Sequence, residues 1–185
     1  GTFKNRAGLG LGMVRHALDF AGTNGMKQHV EIPNSDTLNP PGSFSIEGWI
    51  YPRQDGVRHI VTKWGDAGDQ VNQRSYDMAT LQNRALRFDL SDLANQVNPA
   101  FHYLDTPTNV LAINGWNHIA GVYDQASGVR RIYVNGVKAA ERTDPPITIL
   151  NSTAVVSIGA NKYSGTGVRM SPCRPAAPLL RFDAV

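Results

Sequence analysis

The feature that most limits this chain is a two-residue hydrophobic period that keeps restarting. From Ser43 to Tyr51, the residues Phe44, Ile46, Gly48 and Ile50 fall on one side, and Ser45, Glu47, Trp49 and Tyr51 fall on the other. Such alternation places successive side chains on opposite faces of a β-strand and cannot build the apolar stripe of a helix. The pattern recurs in short runs divided by turn residues. Val30 and Ile32 share one side of 29–32 before Pro33-Asn34-Ser35-Asp36 ends the run, and Ile60, Thr62 and Trp64 share one side of 59–64. Residues 76–81 and 86–90 read as a hairpin around Gln82-Asn83-Arg84, with Leu86, Phe88 and Leu90 inward and Arg87 and Asp89 outward. Residues 116–123 are apolar on both sides, which marks a central strand. Asn135-Gly136, between 130–134 and Val137, suits the type I′ hairpin turn, whose two central residues both take positive φ. Val156 and Ile158 share a side of the run 153–160, and Asp36–Leu38 can form one helical turn. About ten short strands at regular spacing predict two packed antiparallel sheets.

Length and charge narrow the rest. The 185 residues suit one domain able to bury a core without staples. Only three of the 15 acids are Glu (Glu31, Glu47, Glu141), and Asp favours turns over helices. The net charge is +3, with the basic residues scattered and no run of five, so no stripe suited to nucleic acid is present. No stretch of 18 apolar residues exists, so no membrane span is predicted. A single cysteine, Cys173, leaves neither an intrachain disulfide nor a Cys-rich zinc site. The five histidines (His16, His29, His59, His102 and His118) lack metal-ligand spacing, and His118 is expected in the core. Gly8, Gly10 and Gly12 lack the spacing of a dinucleotide loop and are read as a flexible loop. After Val168 the rhythm breaks at Pro172, Pro175 and Pro178. The expected organisation is therefore a sandwich domain over 1–167 and an atypical Pro-rich tail over 168–185.

Six motifs in order then resemble one family. They are Ala17-Leu18-Asp19-Phe20 with Val30-Glu31-Ile32-Pro33, Phe44 to Ile50, Ile60 to Gly65, Leu86 to Asp92, Gly115 to Asp124 with Ile132 to Gly136, and Ile158-Gly159. Together they resemble the concanavalin A-like lectin/glucanase superfamily, in its laminin-G-like jelly-roll form. The resemblance covers roughly residues 15–163. It implies an all-β, two-sheet antiparallel jelly-roll sandwich. It also implies a non-catalytic module that recognises carbohydrate or a protein surface, within a larger secreted, cell-surface or virion protein. The family's first strand and its closing strand, which lie side by side, have no match here. An open edge able to self-associate through the sheet or the tail is therefore expected.

Within that frame, each chemistry asks for particular residues. Glycoside hydrolysis needs two carboxylates facing one cleft, ~5–5.5 Å apart for retention. Glu47 has no acid at 45, 49 or 51, and Glu31 and Glu141 are isolated, so the chain is not read as an enzyme. Sugar recognition needs aromatic faces with polar groups beside them. The candidates are Trp49, Tyr51, Tyr76 and Tyr103, with Gln73 as a polar neighbour, while Trp64 and Trp116 match core positions of the family. No cofactor is required. Structural calcium is the one metal considered, because loop oxygens suit it. Asn24, in the loop where the family carries an acid, and Asp66 and Asp69, in Gly65–Asp69, are its candidate ligands.

Overall fold

Alternation becomes two layers once each strand buries its apolar side. The computed structural model describes residues 1–4, 7–13, 15–20, 28–65, 72–93, 102–160 and 181–184. Among these the strands are β1 (Thr2–Lys4), β2 (Gly8–Gly12), β3 (Arg15–Asp19), β4 (His29–Ile32), β5 (Phe44–Ile50), β6 (Arg58–Gly65) and β7 (Gln73–Thr80). They continue with β8 (Leu86–Leu90), β9 (His102–Asp105), β10 (Asn117–Asp124), β11 (Val129–Val134), β12 (Val137–Thr143), β13 (Val156–Ile158) and β14 (Arg181–Ala184). Seven strands form one antiparallel sheet in the order β1-β4-β13-β6-β7-β8-β9. Five form the second, in the order β12-β11-β10-β5-β14, and β2 and β3 make a separate hairpin.

The core lies where the inner faces meet. From the five-stranded sheet it takes Phe44, Ile46, Ile50, Ile119, Tyr123 and Ile132; from the seven-stranded sheet it takes Val61, Tyr76, Met78, Leu86, Phe88 and Leu90. Phe44 is the hub, with its ring centroid 5.7 Å from Tyr76, 6.0 Å from Phe88 and 6.4 Å from Tyr123. Tilted and edge-on contacts of this kind suit the aromatic quadrupole. The buried hydroxyls are satisfied: Tyr76 donates to the Leu38 carbonyl, and Tyr123 donates to the Ile147 carbonyl while accepting from the Ile147 N–H. β10 is the middle strand of its sheet, as its two-sided apolar sequence predicts.

Polar side chains tie the connections down. Buried Asn117 accepts from the Ala112 N–H and donates to the carbonyls of Ala112 and Gly115. Asn83 and Arg84 both take positive φ in the β7–β8 turn, and the exposed Asp55 carboxylate accepts their N–H groups at 2.9 and 2.8 Å. Asn135 (φ 52°) and Gly136 (φ 79°) form the predicted turn between β11 and β12. Lys63 is fully buried and donates to the carbonyls of Ser152 and Ala154 and to the Ser152 hydroxyl, pinning the run between β12 and β13.

Three expectations are corrected. The Gly-rich start is a strand, because β2 pairs with β3 through Leu9↔Leu18, Gly10↔Ala17 and Leu11↔His16. Its alternation was hidden because one of its faces consists of glycines, which carry no side chain to reveal a period. The sheets do have strands from both ends of the chain: β1 pairs with β4, and β14 pairs with β5 through Phe182↔Ile46. They lie in different sheets, not side by side. β1 is too short to show a period, and β14 follows the last proline of the tail. Finally, Asp89 is on the predicted face but is not solvated, being 9% exposed.

One close approach holds the layers at their spacing. A Cβ at Gly121, on the inner face of β10, would sit 2.9 Å from the Met78 methyl and 3.0 Å from the Phe88 ring. Gly121→Val is expected to destabilise the fold by about 1–3 kcal/mol through overpacking. Urea denaturation measures this, and an unchanged midpoint would mean that the Phe88 ring can give way.

Candidate functional site

The polar residues that the core leaves over gather on the other face of the seven-stranded sheet. On β7, β8 and β9 the inward residues are Tyr76 and Met78, Leu86 and Phe88 and Leu90, and Leu104. Alternation turns Asp77, Arg87, Asp89, Tyr103 and Asp105 the other way. Register then sets them in rows, with Asp77 opposite Asp89, Asp89 opposite Tyr103, and Arg87 opposite Asp105. Side chains directly opposite in antiparallel strands have Cβ atoms about 4.5–5.5 Å apart, so each row acts as one unit.

The contacts within this cluster are specific. The His59 Nδ1–H of β6 donates to Asp77 Oδ2 at 2.9 Å and lies 3.1 Å from Oδ1. Arg87 grips Asp105 in a two-pronged pair, from Nε at 2.6 Å and Nη2 at 2.7 Å. The same guanidinium carbon lies 4.6 Å from the centroid of the Tyr103 ring, a cation–π distance. Tyr103 is 44% exposed, whereas Asp77 is 5% exposed. Asp89 Oδ1 is buried and has no hydrogen-bond partner among the described residues.

Charge follows from that burial. Burial raises Asp89 most, and the neighbouring charges of Asp77 and Asp105 add to it. Arg87 and His59 pull the other way, and the carboxyl stands at about 7. Burial works against a charged His59, but the Asp77 carboxylate outweighs it, by charge and by hydrogen bond, and holds the imidazole above its ordinary range. Two like charges facing each other at low dielectric cannot both ionise freely.

The expected ligand residues scatter over this framework. Tyr103 is in the cluster, on a strand and not in a loop. Tyr76 is fully buried with its hydroxyl committed to Leu38, so it packs the core and the ligand role expected for it is dropped. Gln73 begins β7, where its Oε1 accepts from the Thr153 N–H at 2.9 Å. Trp49 is on the outer face of the other sheet, edge-on to His118 at 5.2 Å. His118 is therefore on that outer face, 3.8 Å from Glu47, and not in the core, because Asn117 takes the inward position. Tyr51 packs edge-on against Trp116 at 5.5 Å, with Arg53 5.8 Å from its centroid. Trp64 is buried as expected, while Trp116 is only half-buried. Asn24, Asp66 and Asp69 lie outside the described residues, and among the described residues no three acidic, His or Cys groups are placed to hold a metal.

Sequence reading missed His59, Asp77, Arg87, Asp89 and Asp105 as a group. Paired acids on one strand show up at i and i+2, whereas Asp77 and Asp89 face each other across a hairpin. The signal was present: Asp77 and Asp89 each lie six residues from Asn83 (83 − 77 and 89 − 83), the middle of the predicted turn, so the hairpin register sets them opposite.

Known proteins place this architecture. No curated protein sequence matches the chain. Among solved structures, the Ruminococcus gnavus IT-sialidase CBM40 bound to α2,3-sialyllactose superposes with a TM-score of 0.67 at 11% identity, covering 85% of this chain and 92% of that one. The binding domain of Botulinum neurotoxin DC in complex with SialylT gives 0.64 at 15% identity, over 87% of this chain and 39% of that one. The present chain thus spans about two fifths of that neurotoxin chain. The heptameric SAP-like pentraxin of Limulus polyphemus gives 0.61 at 16% identity, over 89% and 73%. At these identities the likeness is one of fold. A family profile matches residues 24–170, most of the chain, and with the two-sheet jelly roll described above it assigns the protein to the Laminin_G_3 family of the concanavalin A-like lectin/glucanases superfamily.

Proposed function

We propose that this chain is a non-catalytic carbohydrate-recognition module of a larger secreted or cell-surface protein, and that the Asp77–Asp89–Tyr103 face of the seven-stranded sheet receives the glycan. The observation that carries the reading is the pairing of the half-exposed Tyr103 ring with the pre-set Arg87–Asp105 pair beside it. An aromatic face stacks on the apolar side of a sugar, and fixed polar groups orient its hydroxyls. Rigidity helps, because groups already held by their neighbours lose little entropy on binding. Support also comes from solved structures that share the fold, one bound to α2,3-sialyllactose and another in complex with SialylT. Binding is favoured over hydrolysis because two of the three carboxylates on this face are already engaged, Asp77 by the His59 imidazole and Asp105 by the Arg87 guanidinium, whereas hydrolysis needs a working pair.

Such a face has a cost in stability that can be measured. In the unfolded chain Asp89 returns to its ordinary value of 3.8, against about 7 when folded. Between these values the folded protein holds a proton that the unfolded chain has released, so stability falls as pH rises from about 4 to about 7, and the loss is complete above that. Asp89→Asn carries no charge at any pH. It is expected to match the parent near pH 4 and to exceed it at pH 8 by up to roughly 4 kcal/mol, taking about 1.4 kcal/mol per unit. Parallel stability–pH curves for the two proteins would refute the assignment. For the site itself, Tyr103→Ala is expected to weaken glycan affinity by roughly tenfold or more, while Trp49→Ala, on the opposite sheet, leaves it within about twofold. Calorimetry on a glycan selected from an array checks both; full affinity in Tyr103→Ala would move the site elsewhere.

A further inference from the structure

If the glycan seats on this face, the face also dictates what kind of sugar it accepts. Among the described residues, the charged groups turned to it are His59 from β6, Asp77 from β7, Arg87 and Asp89 from β8, and Asp105 from β9. Both cations are already matched. The Arg87 guanidinium spends Nε and Nη2 on the two oxygens of Asp105, and the His59 Nδ1–H is spent on Asp77. What remains without a partner among the described residues is a carboxyl oxygen, Asp89 Oδ1, on a residue more than nine-tenths buried between Asp77 and Tyr103. A buried polar atom left unpaired costs free energy until a ligand supplies its complement. A sugar hydroxyl supplies a donor. A sugar carboxylate supplies only further negative charge next to three aspartates, where the Arg87 guanidinium is already matched by Asp105, and like charges brought together at an interface cost several-fold or more in affinity.

We infer that this face selects uncharged, hydroxyl-rich saccharides and discriminates against carboxylated sugars, although two chains of the same fold are seen with sialylated ligands or with SialylT. The inference rests on the carbohydrate-binding reading above. Discrimination here arises from a cation that is occupied and not from one that is missing. Releasing it is therefore expected to invert the preference: Asp105→Asn keeps the size of the side chain but frees the Arg87 fork for a carboxylate.

The test is a glycan array of matched pairs, each neutral glycan printed beside its sialylated form, with lactose and α2,3-sialyllactose among them. The intact chain is applied at pH 7.5. Neutral members bound at least about tenfold better than their sialylated partners support the inference. Sialylated members bound equally or better overturn it while leaving the carbohydrate reading standing. Binding to no glycan on the array overturns both. In Asp105→Asn, with native circular dichroism, the sialylated-to-neutral ratio is expected to rise at least about fivefold; a native-like variant with an unchanged ratio overturns the role given to the occupied Arg87. Should that variant fail to fold, the matched-pair comparison on the parent chain still decides the matter.

Discussion

The Phe44 ring touches Tyr76 and Phe88 in one sheet and Tyr123 beside it in the other, and the rest of the molecule is arranged around that contact. It can form only where the layers come close, and Gly121 on the middle strand of the five-stranded sheet gives Phe88 that room. Closure fixes which side of each strand is inner. Once Met78 and Phe88 must point toward β10, Asp77, Arg87 and Asp89 must point away, since the pleat offers no third direction. The polar face is thus the complement of the core, positioned by the same packing. A register slip of one residue in β8 would exchange the two.

Much of this was legible because strands carry their own period. The Phe44–Ile50 alternation, the Asn135-Gly136 turn and the hairpin about Asn83 are local statements, and the chain makes each of them within a few residues. The failures have physical causes. Gly8, Gly10 and Gly12 removed one half of the alternation of β2, and β1 offers only three residues. His118 was expected in the core from an apolar run, but in a strand its parity with Asn117 decides the matter. Tyr76 stands among the aromatics available to a sugar, although its own parity with Met78 points inward.

The site was less legible than the fold because it exists only between strands. No short window contains His59, Asp77, Asp89 and Asp105 together; three pairings bring them side by side. Burying acids on an outer face is expensive unless each finds a partner. Two of these aspartates are held by a base, and among the described residues the third has an oxygen with none. A buried polar atom left unpaired costs stability, so this face forms at the expense of the fold.

The place of β13 has a kinetic meaning. Residues 156–158 lie between β4 and β6, pairing Ile158 with Val30 on one side and with Val61 on the other. Strands that are near in sequence are therefore separated in the sheet by one that arrives about a hundred residues later. Until it docks, β1 with β4 and β6 with β7 and β8 are two ribbons with bare edges, and no local contact can join them. A chain built this way pays its loop-closure entropy before the sheet rewards it, so folding belongs to the slow, high-contact-order regime. The Lys63 ammonium, which grips Ser152 and Ala154 just ahead of β13, is placed to hold that late strand in its slot once it has entered.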